Sequence, residues 1–264
     1  MTRLTTLADA EAVAVRAVRE IVRHVDDARA RRSVAHLALS GGTTPARTYE
    51  LLAGELSDWD GIEVWFADER CVAPEDEQSN YRLAKETLLG PIGIPSEQVH
   101  RMEGELGPKE GARRYAEALQ AHVARDEQPS VEPPAAASSH GVPCAGERPI
   151  EPGLPVLDLI VLGIGPDGHV ASLFPGAPTL QAGPQAICLG VHDSPKPPPE
   201  RITLSLGVLR TARACLLLAS GAGKADAVAA MLGEPSPHVP ASLLRRERLT
   251  VLVDDQAAPP ASLR

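Results

Sequence analysis

Val15, Val18, Val22 and Val25 recur at helical spacing, with Arg16, Arg19, Glu20 and Arg23 between them. That pattern predicts an amphipathic helix with one face on a core. The run VAHLALS (34–40) predicts a strand. TPARTYELLAGEL (44–56) predicts a helix with Pro45 in its first turn, where a missing N–H costs nothing. IEVWFADE (62–69) predicts a second strand, and helices are expected over 80–89 and 111–125. Further strands are expected in LDLIVLG, AICLGV, ACLLLAS and LTVLVDD, with a helix over 223–232. Alternating strands and helices predict an α/β fold: a mostly parallel twisted sheet flanked by helices, Rossmann-like and doubly wound. The expected organisation is a single domain over 1–264. Its exception is 126–155, where seven prolines in 30 residues and no apolar period suggest a flexible insertion or long loop.

Composition narrows the classes. A net charge of −9 speaks against nucleic acid as the main partner, because phosphate backbones need a basic face. Aromatics at 3% leave little for base stacking. The four cysteines, Cys71, Cys144, Cys188 and Cys215, are scattered and form no C-x-x-C pair, which suits a reducing compartment. No signal-type apolar core opens the chain and no run of 18 apolar residues occurs, so a cytoplasmic protein with no membrane partner is expected. The eight histidines form no H-x-x-x-H pair or Cys/His knot, and no metal site is expected.

Ligand sites in parallel sheets collect at the carboxyl ends of strands. Three polar loops stand there. The first, Ser40-Gly41-Gly42-Thr43-Thr44-Pro45, offers close backbone approach, hydroxyl donors and the N–H groups of a helix start, a cradle for a phosphate monoester. The same residues also suit a tight turn with Thr44 as N-cap. The Gly-Lys-Ser/Thr ending of a P-loop is missing. The second loop sets Asp68, Glu69 and Arg70 in a row at a strand end, with Ser79 and Asn80 opening the next helix. Arg70 can present a rigid donor fork to an anion; a solvated loop with Ser79 as helix cap is the alternative.

The third loop carries Gly163-x-Gly165-x-x-Gly168, the spacing of a dinucleotide fingerprint. Its context is wrong. Asp167 would set a carboxylate beside the pyrophosphate, and Pro175 and Pro178 cut the following segment short. What the loop does offer is Asp167 and His169 in a glycine turn. Histidine is the usual general base near neutral pH. A lone histidine would more simply be structural, but beside Asp167 and two other polar strand-end loops catalysis is favoured.

LSGGTTP, WFADER…SN, LGIGPDGHVASLFPG, SPKPPPERITLS, GKADAV and VPASLL occur in this order, spanning about 34–255. Together they resemble the motifs of the 6-phosphogluconolactonase family. The resemblance implies hydrolysis of 6-phospho-D-glucono-1,5-lactone to 6-phospho-D-gluconate, a step of the oxidative pentose phosphate pathway, with no cofactor. It implies His169 as catalytic base and Arg70 in the active site, with the Ser40–Thr44 loop and Lys224 on the substrate phosphate. Lys196 and Arg201 look like substrate-side contacts. Asp167 orients either His169 or a sugar hydroxyl. The expected partner is the small sugar-phosphate lactone, and the protein is expected to be a monomer. Glucosamine-6-phosphate deaminases share the phosphate loop and the Asp-Gly-His turn, but there the turn runs on into Phe-Asn-Glu with a catalytic Glu. Here Ser172-Leu173-Phe174-Pro175 follows, which favours the lactonase. A non-catalytic sugar-phosphate sensor is the other alternative.

Overall fold

The computed structural model describes residues 2–123 and 153–260. The expected insertion over 126–155 therefore lies outside the described residues, apart from 153–155. The chain opens with β1 (Arg3–Leu7), α1 (Ala10–Arg32), β2 (Ala35–Leu39), α2 (Thr43–Glu55), β3 (Ile62–Phe66) and β4 (Asp68–Arg70). α3 (Asn80–Ala84) continues through a π-helical turn, Lys85–Leu89, into α4 (Gly90–Ile92), and α5 (Gly107–His122) follows. The second half carries β5 (Leu159–Gly163), β6 (Cys188–Val191), β7 (Arg201–Leu204), α6 (Leu206–Thr211), β8 (Cys215–Ala219), α7 (Ala225–Leu232) and β9 (Leu249–Asp254).

Six strands form one sheet in the order β1-β9-β8-β5-β2-β3, and every neighbouring pair is parallel. β2 and β8 are buried along their whole length, as strands covered on both faces must be. The chain winds outward in two directions, from β2 to β3 and from β5 through β8 to β9. The reversal lies between β2 and β5, and the crevice beyond the strand ends at such a point is the usual ligand site of an α/β sheet.

The single strand expected over 62–69 is in fact two. At Ala67 the N–H donates to the Leu39 carbonyl (2.8 Å), while the Ala67 carbonyl accepts from Leu204 N–H (2.8 Å). One residue thus joins two sheets. From Asp68 the chain pairs antiparallel with β7, and β7 with β6, in a small second sheet. The strand expected at 186–191 belongs here and not to the parallel sheet.

α1 buries Val18, Ile21 and Val25 with Ala14, Ala17 and Ala28, whereas Val15 is 38% exposed. Of the valine series, Val18 and Val25 enter the core and Val22 packs against it, while Val13, Ile21 and the alanines complete the stripe. Asp9 caps the helix by accepting from Ala12 N–H at 2.8 Å. The helix expected at 111–125 begins earlier, at Gly107, because Pro108 is accommodated in its first turn. Among the described residues, no helix is long and apolar enough to cross a membrane.

Candidate active site

A cleft of about 310 Å³ opens beyond the carboxyl ends of β2, β5 and β8, over the switch point, with β4 and the segment leading into β7 as its far wall. All three polar strand-end loops meet there. Ser40, Gly41, Gly42, Thr43, Thr44, Arg70, His169, Lys196, Arg201 and Lys224 line it. Asp167 does not; it stands behind His169. A larger hollow of about 830 Å³, bordered by 176–184 and α6, holds none of these residues.

The turn after β5 is closed by Gly165 N–H to His169 O and Gly168 N–H to Gly165 O, both 2.9 Å. A Cβ on Gly165 would stand 2.0 Å from His169 Nδ1 and 2.4 Å from Asp167 Oδ1. The glycine therefore makes room for a side-chain pair, not for a pyrophosphate. His169 Nδ1 lies 2.5 Å from Asp167 Oδ1. Burial would raise the Asp167 carboxyl, but the His169 hydrogen bond and the charges of His169 and Lys196 outweigh it and hold the carboxyl below its usual range. An ionised carboxylate only accepts, so Nδ1 carries the proton and Nε2 keeps its lone pair. Burial pushes the imidazole below the ordinary histidine value; the Asp167 bond opposes this and the Lys196 charge reinforces it. Lys196 Nζ stands 3.4 Å from both Asp167 Oδ1 and His169 Nδ1. Facing an N–H, the ammonium acts there as a charge.

On the β2 side, α2 starts at Thr43 with Gly42 as its cap residue and no side-chain cap bond. Thr44 lies inside the first turn, so it is not the cap. Pro45 has no N–H and Ala46 N–H donates to Gly42 O (3.0 Å), so Thr43 and Thr44, both lining the cleft, carry the first-turn N–H groups without an intrahelical acceptor. Ser40 is engaged elsewhere: its hydroxyl donates to Val161 O (2.8 Å), tying the loop to β5. Lys224, from the β8 side, donates to Ile164 O at 2.7 Å and is half-buried, which lowers its pKa.

The β4 side holds residues the sequence underplayed. Asp68 is buried and accepts from Ser172 Oγ (2.7 Å) and Asn80 Nδ2 (3.2 Å). Glu69 accepts from Arg70 N–H (2.7 Å), Asn80 N–H (2.7 Å), Tyr81 N–H (2.8 Å) and Ser79 Oγ (3.0 Å), binding β4 to the start of α3. Ser79 caps α3 as expected, accepting from Arg82 N–H at 3.1 Å. Arg70 Nη1 donates to Gln78 O at 2.5 Å. The signal for this wall was three ionisable residues in a row where a buried strand avoids charge.

Buried polar atoms are almost always hydrogen-bonded. Among the described residues, four buried side-chain atoms have no partner, and three of them, Arg70 Nε, Asn80 Oδ1 and Ser220 Oγ, belong to residues lining this one cleft. The cleft is organised for a polar, anionic ligand: cations on three sides, free helix N–H groups, and one oriented imidazole.

Residues 8–253 match the family model described as glucosamine-6-phosphate isomerases/6-phosphogluconolactonase. The 6-phosphogluconolactonase of Streptomyces coelicolor is 36% identical over 267 residues, covering 96% of this chain and 94% of the relative. That of Mycobacterium tuberculosis is 34% identical over 254 residues, covering 95% and 94%. The crystal structure of 6-phosphogluconolactonase from Leishmania guyanensis superposes with a TM-score of 0.78 at 26% identity, covering 97% of each chain. With the sheet order, the strand-end cleft and these likenesses in agreement, the chain belongs to the glucosamine-6-phosphate isomerase/6-phosphogluconolactonase family.

Proposed function

We propose that this protein hydrolyses 6-phospho-D-glucono-1,5-lactone to 6-phospho-D-gluconate, the lactonase step of the oxidative pentose phosphate pathway, with His169 as general base. The observation that carries the proposal is the Asp167–His169 pair: an ionised carboxylate on Nδ1 leaves Nε2 free at the cleft. In this mechanism Nε2 takes a proton from water as the water oxygen bonds to the lactone carbonyl carbon. The carbonyl oxygen becomes an oxyanion, stabilised by the Arg70 guanidinium. The intermediate then collapses. The bond from the carbonyl carbon to the ring oxygen breaks, and the imidazolium returns its proton to that oxygen. The Gly41–Thr44 segment and Lys224 hold the phosphate away from the reacting carbon, supplying binding energy for orientation. Nothing in these steps calls for a metal or redox cofactor.

The cleft favours this reaction over deamination. The segment after the turn, Ser172 to Pro175, brings no carboxylate, and Phe174 packs its ring 4.7 Å from the His169 ring instead. The protein is taken to act as a cytoplasmic monomer on a small sugar phosphate, with no nucleic-acid partner. The decisive assay sets hydrolysis of freshly prepared 6-phosphogluconolactone beside ammonia release from glucosamine 6-phosphate. Lactone hydrolysis well above the spontaneous rate, without ammonia, is expected. A rate no faster than buffer ends the proposal.

A further inference from the structure

Arg201 lines the cleft, yet two of its three guanidinium nitrogens are committed to backbone carbonyls. Nε donates to Pro198 O (3.1 Å), and Nη2 donates to Lys196 O (3.1 Å) and Pro197 O (3.0 Å). The residue is buried, and among the described residues it forms no ion pair with a carboxylate. A buried charge needs compensation. Here three consecutive carbonyl dipoles provide it, together with the Phe174 ring, whose centroid lies 5.6 Å from the guanidinium carbon. The His169 imidazole also lies against that ring, at 4.7 Å.

The carbonyls Arg201 grips belong to a short strap ahead of β7. Ser194 closes the strap on itself: its N–H donates to Pro199 O (3.0 Å), its Oγ donates to Lys196 O (2.8 Å), and it accepts from Lys196 N–H (3.2 Å). From this strap Lys196 sends its ammonium to within 3.4 Å of Asp167 and His169. A lysine has a flexible stem and would otherwise sample many rotamers. Fixing its backbone at three carbonyls confines where the charge can stand.

We propose that Arg201 is a positioning residue: its guanidinium fastens the 196–198 strap so that the Lys196 ammonium stands over the Asp167–His169 pair. This deepens the lactonase reading and rests on it for the role of His169. The ionisable groups that weigh most on His169 are Asp167 on its own turn, Lys196 on the strap and Asp68 on β4. Of these, Lys196 is the one that disfavours the imidazolium, and the cleft cations Arg70, Arg201 and Lys224 weigh less on it. Loosening the strap lets that charge drift, so His169 protonates at higher pH and the acid limb of the rate profile moves up.

The test is an NMR pH titration of the His169 ring in free protein, labelled at histidine, for wild type, Arg201→Gln, Lys196→Met, the double variant and Ser194→Ala. Values of kcat and KM against pH are collected on the same proteins. The midpoint of His169 is expected to rise by about half a pH unit in Arg201→Gln and at least as far in Lys196→Met. The double variant should go no further than Lys196→Met alone, because both act through one element. Ser194→Ala should move the midpoint the same way, by less, and kcat at pH 6 should fall more than KM rises. An unmoved midpoint in Arg201→Gln, or shifts that add in the double variant, overturns the proposal. So does a rise in KM alone, the mark of direct substrate contact. If Arg201→Gln does not fold, Ser194→Ala decides, and an unmoved midpoint there overturns the proposal. The titration needs no turnover, so a wild type without lactonase activity but with these shifts refutes the functional reading and supports the strap.

Discussion

Asp167 Oδ1 stands 2.5 Å from His169 Nδ1 while lying outside the cleft that His169 lines. Of the two roles open to Asp167 from its sequence, the Nδ1–Oδ1 contact supports orienting the imidazole, the role we propose. His169→Ala is expected to lose about 10²- to 10⁴-fold in kcat with the fold intact, the usual worth of a positioned general base. Near wild-type turnover in that variant removes His169 from the mechanism. In wild type, burial holds His169 below its ordinary value, so kcat/KM should fall on acidification with a midpoint below about pH 6.5. Asp167→Asn removes an interaction that favours the imidazolium, so that midpoint should move lower still while the plateau drops. A midpoint that moves upward contradicts the assignment.

Gly165 is a steric rather than a conformational requirement. Gly165→Ala drives a methyl group into His169 and Asp167. Turnover should fall at least about tenfold through misplacement of the base. The melting temperature should change little, since the ring can swing out into the open cleft. Full activity in Gly165→Ala would mean that the observed pairing is not the working one.

Lys224 is expected to govern affinity. Lys224→Met should raise KM by about 10- to 100-fold, the value of one charge-assisted contact, with a smaller change in kcat. Inorganic phosphate, tested as a competitive inhibitor, should weaken in parallel. A drop in kcat alone would place Lys224 at the reacting carbon instead of the phosphate.

Glu69, although adjacent to Arg70, is a joint between β4 and α3. Glu69→Ala strands three backbone N–H groups and the Ser79 hydroxyl in a buried place. The expected cost is about 2–3 kcal/mol of stability, read by denaturant unfolding. An unchanged transition midpoint would show that water replaces the carboxylate without penalty.

The parallel strands were legible because burial on both faces demands nearly continuous apolar runs, as in LDLIVLG and ACLLLAS. The small sheet was not. Its strands have three or four residues, too few for a period, and β7 opens on the buried Arg201 just after a proline run. The three strand-end loops could be named from residue type and position. Which donors remain available within them could not: Ser40 is committed to Val161 across 121 positions of sequence, and Asn80 turns its amide to Asp68. Such commitments depend on which loops the topology brings together, and no local pattern carries that information.

The ladder joining β2 to β5 has two registered pairs, Leu37 with Leu159 and Ala38 with Ile160, where the other pairings of the large sheet have four or five. Below it, Asp158 bolts the strands together by accepting from His36 N–H and Arg32. Above it, the Ser40–Val161 bond is the last cross-link before the cleft. The sheet is thus most thinly zipped directly beneath the site. A sugar phosphate reaching from the helix start of α2 to the imidazole would bridge that seam, supplying from the ligand a cross-strand staple that the backbone leaves out.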